Sequence, residues 1–402
     1  MGRTPRAAEP GRSTAARVGP LPPTPWLAQV GASLPAVGRL PARAEVVVVG
    51  GGVIGVAAAY HLARLGARAL VLEARAPGWG ASGRNAGLVL GAPATLDGMR
   101  AVLEEEGIDA GWEELGHLAL AASPGMLERM RGEVEARPPA AAPVQVLERD
   151  ECEALLGTPI APRFAGGRWM PRAAALDPAR FVYGVAAAAL RHGAAVAPRT
   201  RVLAIRAAAG GFDLRTTRGS LRAGQVVLAC NARTGRLWPA LAGVLAPARG
   251  QALATRPLRF RFGVALAVDY GAVYWRQTPD GAVVLGGFQH LDPAAEASGR
   301  EALNPRIQAA LEAFLPDAFP GLGRVRVACR WAGVMDRTPD GRPVLGAVPG
   351  APGLWVAAGF GGHGLPPALD AGRALARALG GGGVPEGLRA LDPARFGGRA
   401  PC

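Results

Sequence analysis

Val46-Val47-Val48-Val49-Gly50-Gly51-Gly52-Val53-Ile54-Gly55 decides the fold. Four consecutive β-branched residues favour a strand buried on both faces, and the glycines after them end it abruptly. Gly50 permits a tight turn, Gly52 lets the backbone approach a pyrophosphate, and Gly55 lets the following helix lie close against the sheet. Val53 and Ile54 open that helix, whose free amides point at phosphate. It continues through Ala57, Ala58, Tyr60, Leu62 and Leu65 and stops at Gly66, after which Ala69-Leu70-Val71-Leu72 supplies a second strand. Glu73 stands at the tip of that strand with Ala74 and Arg75 behind it, placed to accept hydrogen bonds from ribose hydroxyls and to repel a 2′-phosphate. Strand, glycine turn, helix, strand and acid in register specify a dinucleotide-binding unit.

Outward from this unit, Gly78-Trp79-Gly80-Ala81-Ser82-Gly83-Arg84-Asn85-Ala86-Gly87 is too polar and glycine-rich for a helix or strand interior and reads as a ligand loop. A buried strand, Gly224 to Ala232, ends in small residues around Ala229, and Thr200-Arg201-Val202-Leu203-Ala204-Ile205 reads as a further strand. Near the end, Gly353-Leu354-Trp355-Val356-Ala357-Ala358 runs into a second glycine loop, Gly359-Phe360-Gly361-Gly362-His363-Gly364, ahead of a helix from about Ala368 to Leu379. Such a loop places amides at an electron-accepting ring that becomes anionic on reduction, a need that a nicotinamide enzyme lacks. Between them, Ala272 to Gln277 and Ala282 to Gly286 flank Thr278-Pro279-Asp280-Gly281, a hairpin signal.

These stretches resemble the D-amino-acid oxidase-like superfamily of FAD enzymes: the A-S-x-x-N-x-G of the ligand loop, the G-F-x-G-H-G loop, and Trp331-Ala332-Gly333 through Thr338-Pro339-Asp340 to Gly346, similar to sarcosine oxidase beta subunits, dimethylglycine dehydrogenases and gamma-glutamylputrescine oxidase. The resemblance implies an α/β fold: a discontinuous Rossmann-like FAD-binding domain (44–92, 176–248 and 326–390) interleaved with an antiparallel-sheet substrate domain (93–175 and 249–325). It implies cofactor contacts from Gly50, Gly52, Val53, Ile54, Gly55, Glu73, Ala74, Arg75, Ser82, Arg84, Asn85, Gly87, Val202, Ala229, Gly333, Gly359, Gly361, Gly362, His363 and Gly364. His363 and Arg84 would tune the flavin, and Tyr274 and Arg276 on the hairpin would face substrate. Relatives that attach flavin covalently use a cysteine where Gly333 aligns, so the FAD is expected to be noncovalent. Met335 stands where D-amino-acid and glycine oxidases place a carboxylate-binding arginine. The expected reaction is oxidation of a small amine or amino acid by hydride transfer to flavin N5, giving an imine that hydrolyses. An FAD-dependent 2-hydroxy-acid dehydrogenase using His290 or His363 as base, or a noncatalytic FAD-binding subunit of a larger complex, are the alternatives. Related oxidases activate oxygen with a lysine and this chain has none, so oxygen, a quinone or a partner protein all stand as electron acceptors.

Composition bounds the rest. The 402 residues are half hydrophobic and 19% charged, enough for two sizeable cores. The net charge of +14 comes with every basic residue an arginine and no dense basic run interleaved with aromatics, which argues against nucleic acid. Cys152, Cys230, Cys329 and Cys402 lack metal-ligand spacing, so neither a metal site nor a disulfide framework is expected. No apolar run is long enough to span a membrane. Residues 1–43, rich in arginine and proline, read as a disordered tail; a cytoplasmic location is expected, with organelle (mitochondrial) targeting as the other reading of that tail.

Overall fold

The structure, a computed structural model, describes residues 24–30, 34–138, 143–383 and 385–397. Two sheets organise it. In the first, the strand order is Val344–Ala347, Leu354–Ala358, Gly219–Leu228, Arg43–Val49, Ala69–Leu72 and Ala195–Ala197, with Val202–Ala208 and Gly211–Thr216 paired beyond Gly219–Leu228. Arg43–Val49 runs parallel to both neighbours, Val48 opposite Val227 on one side and Val71 on the other. Buried on both faces, Val47 and Val48 have no exposure at all, as a central parallel strand requires.

The helix Val53–Arg64 starts on Gly52 as its N-cap and covers one face. A Cβ on Gly55 would stand 1.9 Å from the Gly50 carbonyl oxygen, and one on Gly372 of the helix Ala368–Arg377 would stand 2.5 Å from the Ala57 carbonyl carbon. Glycine at both places is what allows strand, helix and second helix to pack backbone against backbone.

The second sheet follows the order Val327–Arg337, Ala246–Thr255, Val283–Gly287, Val273–Gln277, Ala265–Val268, Glu113–Ala121, Gly166–Ala175 and Leu88–Val89, with Gln145–Glu148 beside Gly166–Ala175. It is antiparallel except where Ala265–Val268 meets Glu113–Ala121. One face is built of Leu118, Leu120, Trp275 and Leu285, packed on Ile307, Leu311, Phe314 and Leu315 of the helix Pro305–Ala318. The opposite face is lined with small residues, among them Ala119, Ala121 and Ala267, against Leu127 and Met130 of the helix Pro124–Glu135.

Three expectations are corrected here. Val327–Arg337, assigned with Leu88 and Val89 to the dinucleotide domain, pairs along its length with Ala246–Thr255, and Leu88–Val89 pairs with Ala174 and Ala175, so all of it belongs to the second sheet. The tail, expected to be disordered, is ordered in part: Pro25–Gln29 is a short helix whose Trp26 is buried, and Arg43 is already in the first strand. Residues 1–23 and Cys402 lie outside the described residues.

Candidate active site

The parallel strands Arg43–Val49, Gly219–Leu228 and Leu354–Ala358 end at the same edge, bringing Gly50, Ala229 and Gly359 together. Ala229 N–H donates to the Val49 carbonyl at 2.9 Å. Gly50, at φ +111°, has no room for a side chain, since a Cβ would lie 2.4 Å from the Ala229 oxygen. Ligands of open α/β sheets bind at this carboxyl edge.

Glu73 marks the ribose end. Its Oε2 accepts the Gly51 N–H at 2.8 Å and its Oε1 the Arg75 N–H at 2.7 Å. Burial pushes this carboxyl above its ordinary value while the two amides pull it back. Thr200 N–H donates to the Glu73 carbonyl and Arg199 N–H to that of Arg75, so the segment leading into Val202 lies beside the acid. The Arg75 side chain points elsewhere than expected: it makes a two-pronged ion pair with Glu301 from the second domain, 2.9 Å at its shorter arm. Ala74 is exposed.

The ligand loop folds back on the glycine turn. Ser82 Oγ accepts the Val53 N–H at 2.9 Å, so this amide, expected to face phosphate, is capped by the loop; the Ile54 amide remains at the helix start. Asn85, expected to contact cofactor, braces the loop instead: its Nδ2 donates to the Ala81 and Ser82 carbonyls and its Oδ1 accepts the Gly87 N–H. Gly87, at φ +73°, sits with its Cα against the Leu176 carbonyl.

Arg84 packs where a Gly333 side chain would stand, its Cβ 3.4 Å from that Cβ position, and is 4% exposed. Its Nε donates to the Trp79 carbonyl at 2.9 Å and its Nη1 reaches the Ala332 carbonyl at 3.5 Å, while buried Nη2 has no partner among the described residues. Burial lowers its pKa. A buried, unpaired guanidinium donor is costly, and an anionic ligand oxygen would satisfy it.

The second glycine loop is held by a residue that sequence reasoning passed over. Asp336 Oδ2 accepts the Gly359 N–H at 2.6 Å and its backbone carbonyl accepts the Gly361 N–H at 3.0 Å. Gly359, Gly361 and Gly362 have φ of +78°, +61° and +93°, conformations that favour glycine. Gly364 packs on Phe360. His363 is exposed, and its one bond among the described residues is from its backbone amide to the Phe360 carbonyl. His290 is also exposed, beside the Phe288 ring. Asn231, equally unforeseen, ties the end of Gly219–Leu228 to the Val334 carbonyl at 2.9 Å.

Tyr274 and Arg276 share one face of the second sheet but have different roles. Arg276, 2% exposed, donates from Nε to the Ala86 carbonyl and from Nη2 to that of Leu176, and stacks over Trp26. The expectation that it faces substrate is therefore overturned: it is a brace under the ligand loop. Tyr274 is half-buried, with its hydroxyl unpartnered among the described residues. Among those residues no group of three metal-ligating side chains occurs, and no helix is long and apolar enough to cross a membrane.

The glycine cradle, an acid at its far end and the orphaned Arg84 donor fit FAD: backbone amides and Glu73 would hold its adenosine half, and Arg84 and the Gly359–Gly364 loop would lie toward its flavin half. Fold and site define a dinucleotide-dependent oxidoreductase architecture. The family model described as FAD dependent oxidoreductase, DAO, matches residues 45–378. An opine oxidase component of Agrobacterium tumefaciens is 27% identical over 339 residues, 78% of this chain and 88% of the relative. Mitochondrial dimethylglycine dehydrogenase of Mus musculus is 26% identical over 389 residues, 88% of this chain but 44% of that longer protein. Among solved structures, glycine oxidase from Geobacillus kaustophilus superposes with a TM-score of 0.78 at 24% identity, covering 88% of this chain and 98% of that one. L-proline dehydrogenase from P. horikoshii gives 0.77 at 23%, covering 89% and 98%. The chain belongs to the DAO family of FAD-dependent oxidoreductases.

Proposed function

We propose that the chain oxidises the C–N bond of a small amine or amino acid with noncovalent FAD. The substrate carbon loses a hydride, the resulting imine takes up water, and a carbonyl compound and a smaller amine or ammonia leave. FAD supplies the hydride acceptor at N5. The observation that carries this reading is what surrounds the flavin-facing surface: no pair for nucleophilic or acid–base catalysis is present there among the described residues. The one histidine–carboxylate bond among them, His192 to Glu106, lies where the helix Val53–Arg64 meets residues 106 and 191–192, away from the glycine loops. A neutral amine needs no such pair, since its nitrogen lone pair drives hydride departure, whereas an alcohol needs a base for its hydroxyl proton, and the candidates His363 and His290 have no carboxylate partner among the described residues.

The protein's own contributions are positional and electrostatic. Tyr274 borders the surface with a phenol that burial keeps protonated beyond its ordinary range. Arg84 places a buried positive charge against the side-chain side of Gly333, where it stabilises negative charge on a bound anion. Gly333 offers no side-chain atom for a covalent link. Opine oxidase, dimethylglycine dehydrogenase and glycine oxidase support the substrate class by similarity. The test is the visible spectrum of the purified holoenzyme, recorded anaerobically before and after N-methylated glycines, D- and L-amino acids, polyamines and 2-hydroxy acids. Bleaching by an amine class is expected; bleaching by 2-hydroxy acids alone would overturn the reading.

A further inference from the structure

We infer that a groove at the free edge of the second sheet docks an acidic segment of a partner protein, held by Arg256, Arg324 and Arg326. The groove has a volume of about 620 Å³ and is lined by these three arginines, Arg330, Glu312 and residues 325 and 327–329. Arg256, Arg324 and Arg326 are exposed and have no acidic partner among the described residues, whereas Arg330 is paired with Glu312. The Arg256 N–H donates to the Arg326 carbonyl at 2.7 Å, so these two side chains leave the backbone close to one another. Val325 and Val327 pack on the core beneath, which makes the groove a preformed surface.

Charge and shape select the occupant. Three unpaired guanidiniums along one groove raise one another's energy, and carboxylates relieve this through the two-pronged bonds that the planar fork favours. Arg324 and Arg330 are separated by up to roughly 20 Å of chain, a spacing that suits an extended acidic segment better than one small anion. No aromatic ring lines the groove for a nucleic-acid base to stack on. The chain's own ends do not complement it: residues 1–23 carry Arg3, Arg6, Arg12 and Arg17 against Glu9, and residues 398–402 carry Arg399 and no acid. The sheet edge is also open here. Val327–Arg337 is the last strand of the sheet, and farther along it the Ala332 carbonyl is taken by Arg84, that of Val334 by Asn231 and that of Asp336 by the Gly361 amide. Among the described residues no hydrogen bond from outside the sheet reaches the main chain of residues 327–330. The pairing register shifts between Ala254 and Thr255, opposite this stretch, so arginine contacts rather than regular strand addition carry the docking. Cys329 lies about 13 Å along the strand from Gly333, which places the partner beside the candidate site rather than on a remote face.

The experiment measures binding of a rhodamine-labelled octaglutamate peptide to the FAD-loaded full chain by fluorescence anisotropy, at low and at physiological salt. Binding is expected to weaken with salt. Arg324→Glu combined with Arg326→Glu should weaken it at least about tenfold, whereas the same charge change at Arg206 and Arg215, exposed on the first sheet, should move it less than about twofold. Arg324→Gln combined with Arg326→Gln should give an intermediate loss, with FAD content unchanged; should the glutamate pair lose FAD, the glutamine pair decides. Absence of binding by the wild type overturns the inference, and so does an equal loss at both sites, which would assign the attraction to net charge. Octathymidylate binding more tightly than octaglutamate at Arg324 and Arg326 overturns it in favour of nucleic acid. A wild-type dimer in sedimentation that Arg324→Glu with Arg326→Glu dissociates overturns it in favour of a second copy of the chain.

Discussion

Asp336 and Gly359 are joined by a 2.6 Å hydrogen bond from the glycine amide to a carboxylate that is 4% exposed. Asp336 lies on the edge strand of the second sheet and Gly359 ends a strand of the first. A single side chain thus fixes the second glycine loop, which belongs to one domain, to the sheet of the other, and burial raises its pKa as the cost of standing there.

Asp336→Ala should weaken FAD binding by about 1–3 kcal/mol, because the Gly359 amide loses a charged acceptor in a buried place. Asp336→Asn keeps an oxygen acceptor and should lie between the wild type and alanine. Titration of the apoprotein with FAD, followed by flavin fluorescence, measures both. Equal affinity in all three proteins would show that the loop holds its shape without this anchor.

Arg84→Ala should cost FAD affinity by roughly 1.5–3 kcal/mol, the range for a charged hydrogen bond, and Arg84→Lys should recover only part of it. Lysine is a point donor and cannot serve the Trp79 carbonyl and a ligand oxygen as the guanidinium does. Full recovery by lysine would mean that charge alone matters at this position.

Gly372→Ala and Gly55→Ala should both lower the melting temperature, by an overpacking cost of about 1–3 kcal/mol. They differ in consequence. Gly55 abuts the Gly50 carbonyl in the cofactor turn, while Gly372 abuts Ala57 within the helix pair. FAD affinity should therefore fall for Gly55→Ala and be retained by folded Gly372→Ala.

His117 is 4% exposed with neither ring nitrogen hydrogen-bonded, and burial, with Arg168 nearby, lowers its pKa to about 4. The folded state holds it neutral while the unfolded chain protonates near 6.5, so stability is full above that value and falls as the pH drops toward 4. Between pH 7 and pH 5 this group should remove about 2 kcal/mol. His117→Leu should flatten that part of the pH profile in denaturant unfolding curves; an unchanged slope would assign the acid sensitivity to other groups, such as His61, whose pKa burial also lowers to about 4.

The glycine turn, Glu73 and the two loops were legible because each depends on local backbone chemistry: positive φ, close approach, and a strand that ends where a helix begins. Arg276 was misread because a strand residue's face follows from alternation, but its partners, Ala86 and Leu176, are 190 and 100 residues away in sequence. Asn85 belongs to the resembling motif, yet its side chain serves the loop itself. Asp336 left one signal, the lone acid of a strand whose other charges are Arg330 and Arg337, and gained meaning only when that strand joined the second sheet. The order of residues 24–30 was hidden by their proline-rich surroundings, since Trp26 is held by the Asn85 carbonyl rather than by its neighbours.

The ligand loop is closed by residues that the ribosome delivers far apart. Trp26 donates to Asn85 across 59 residues, Arg276 to Ala86 across 190, and Trp331 to Arg84 across 247. A nascent chain that has emerged only as far as Gly271 already owns the glycine turn, its helix and Glu73, yet the Ala81–Gly87 segment still lacks two of its three tethers. Closing such distant contacts is the slow part of folding. Cofactor loading should therefore come late in synthesis, and the yellow colour of a fresh preparation would report whether the last third of the chain has found its place.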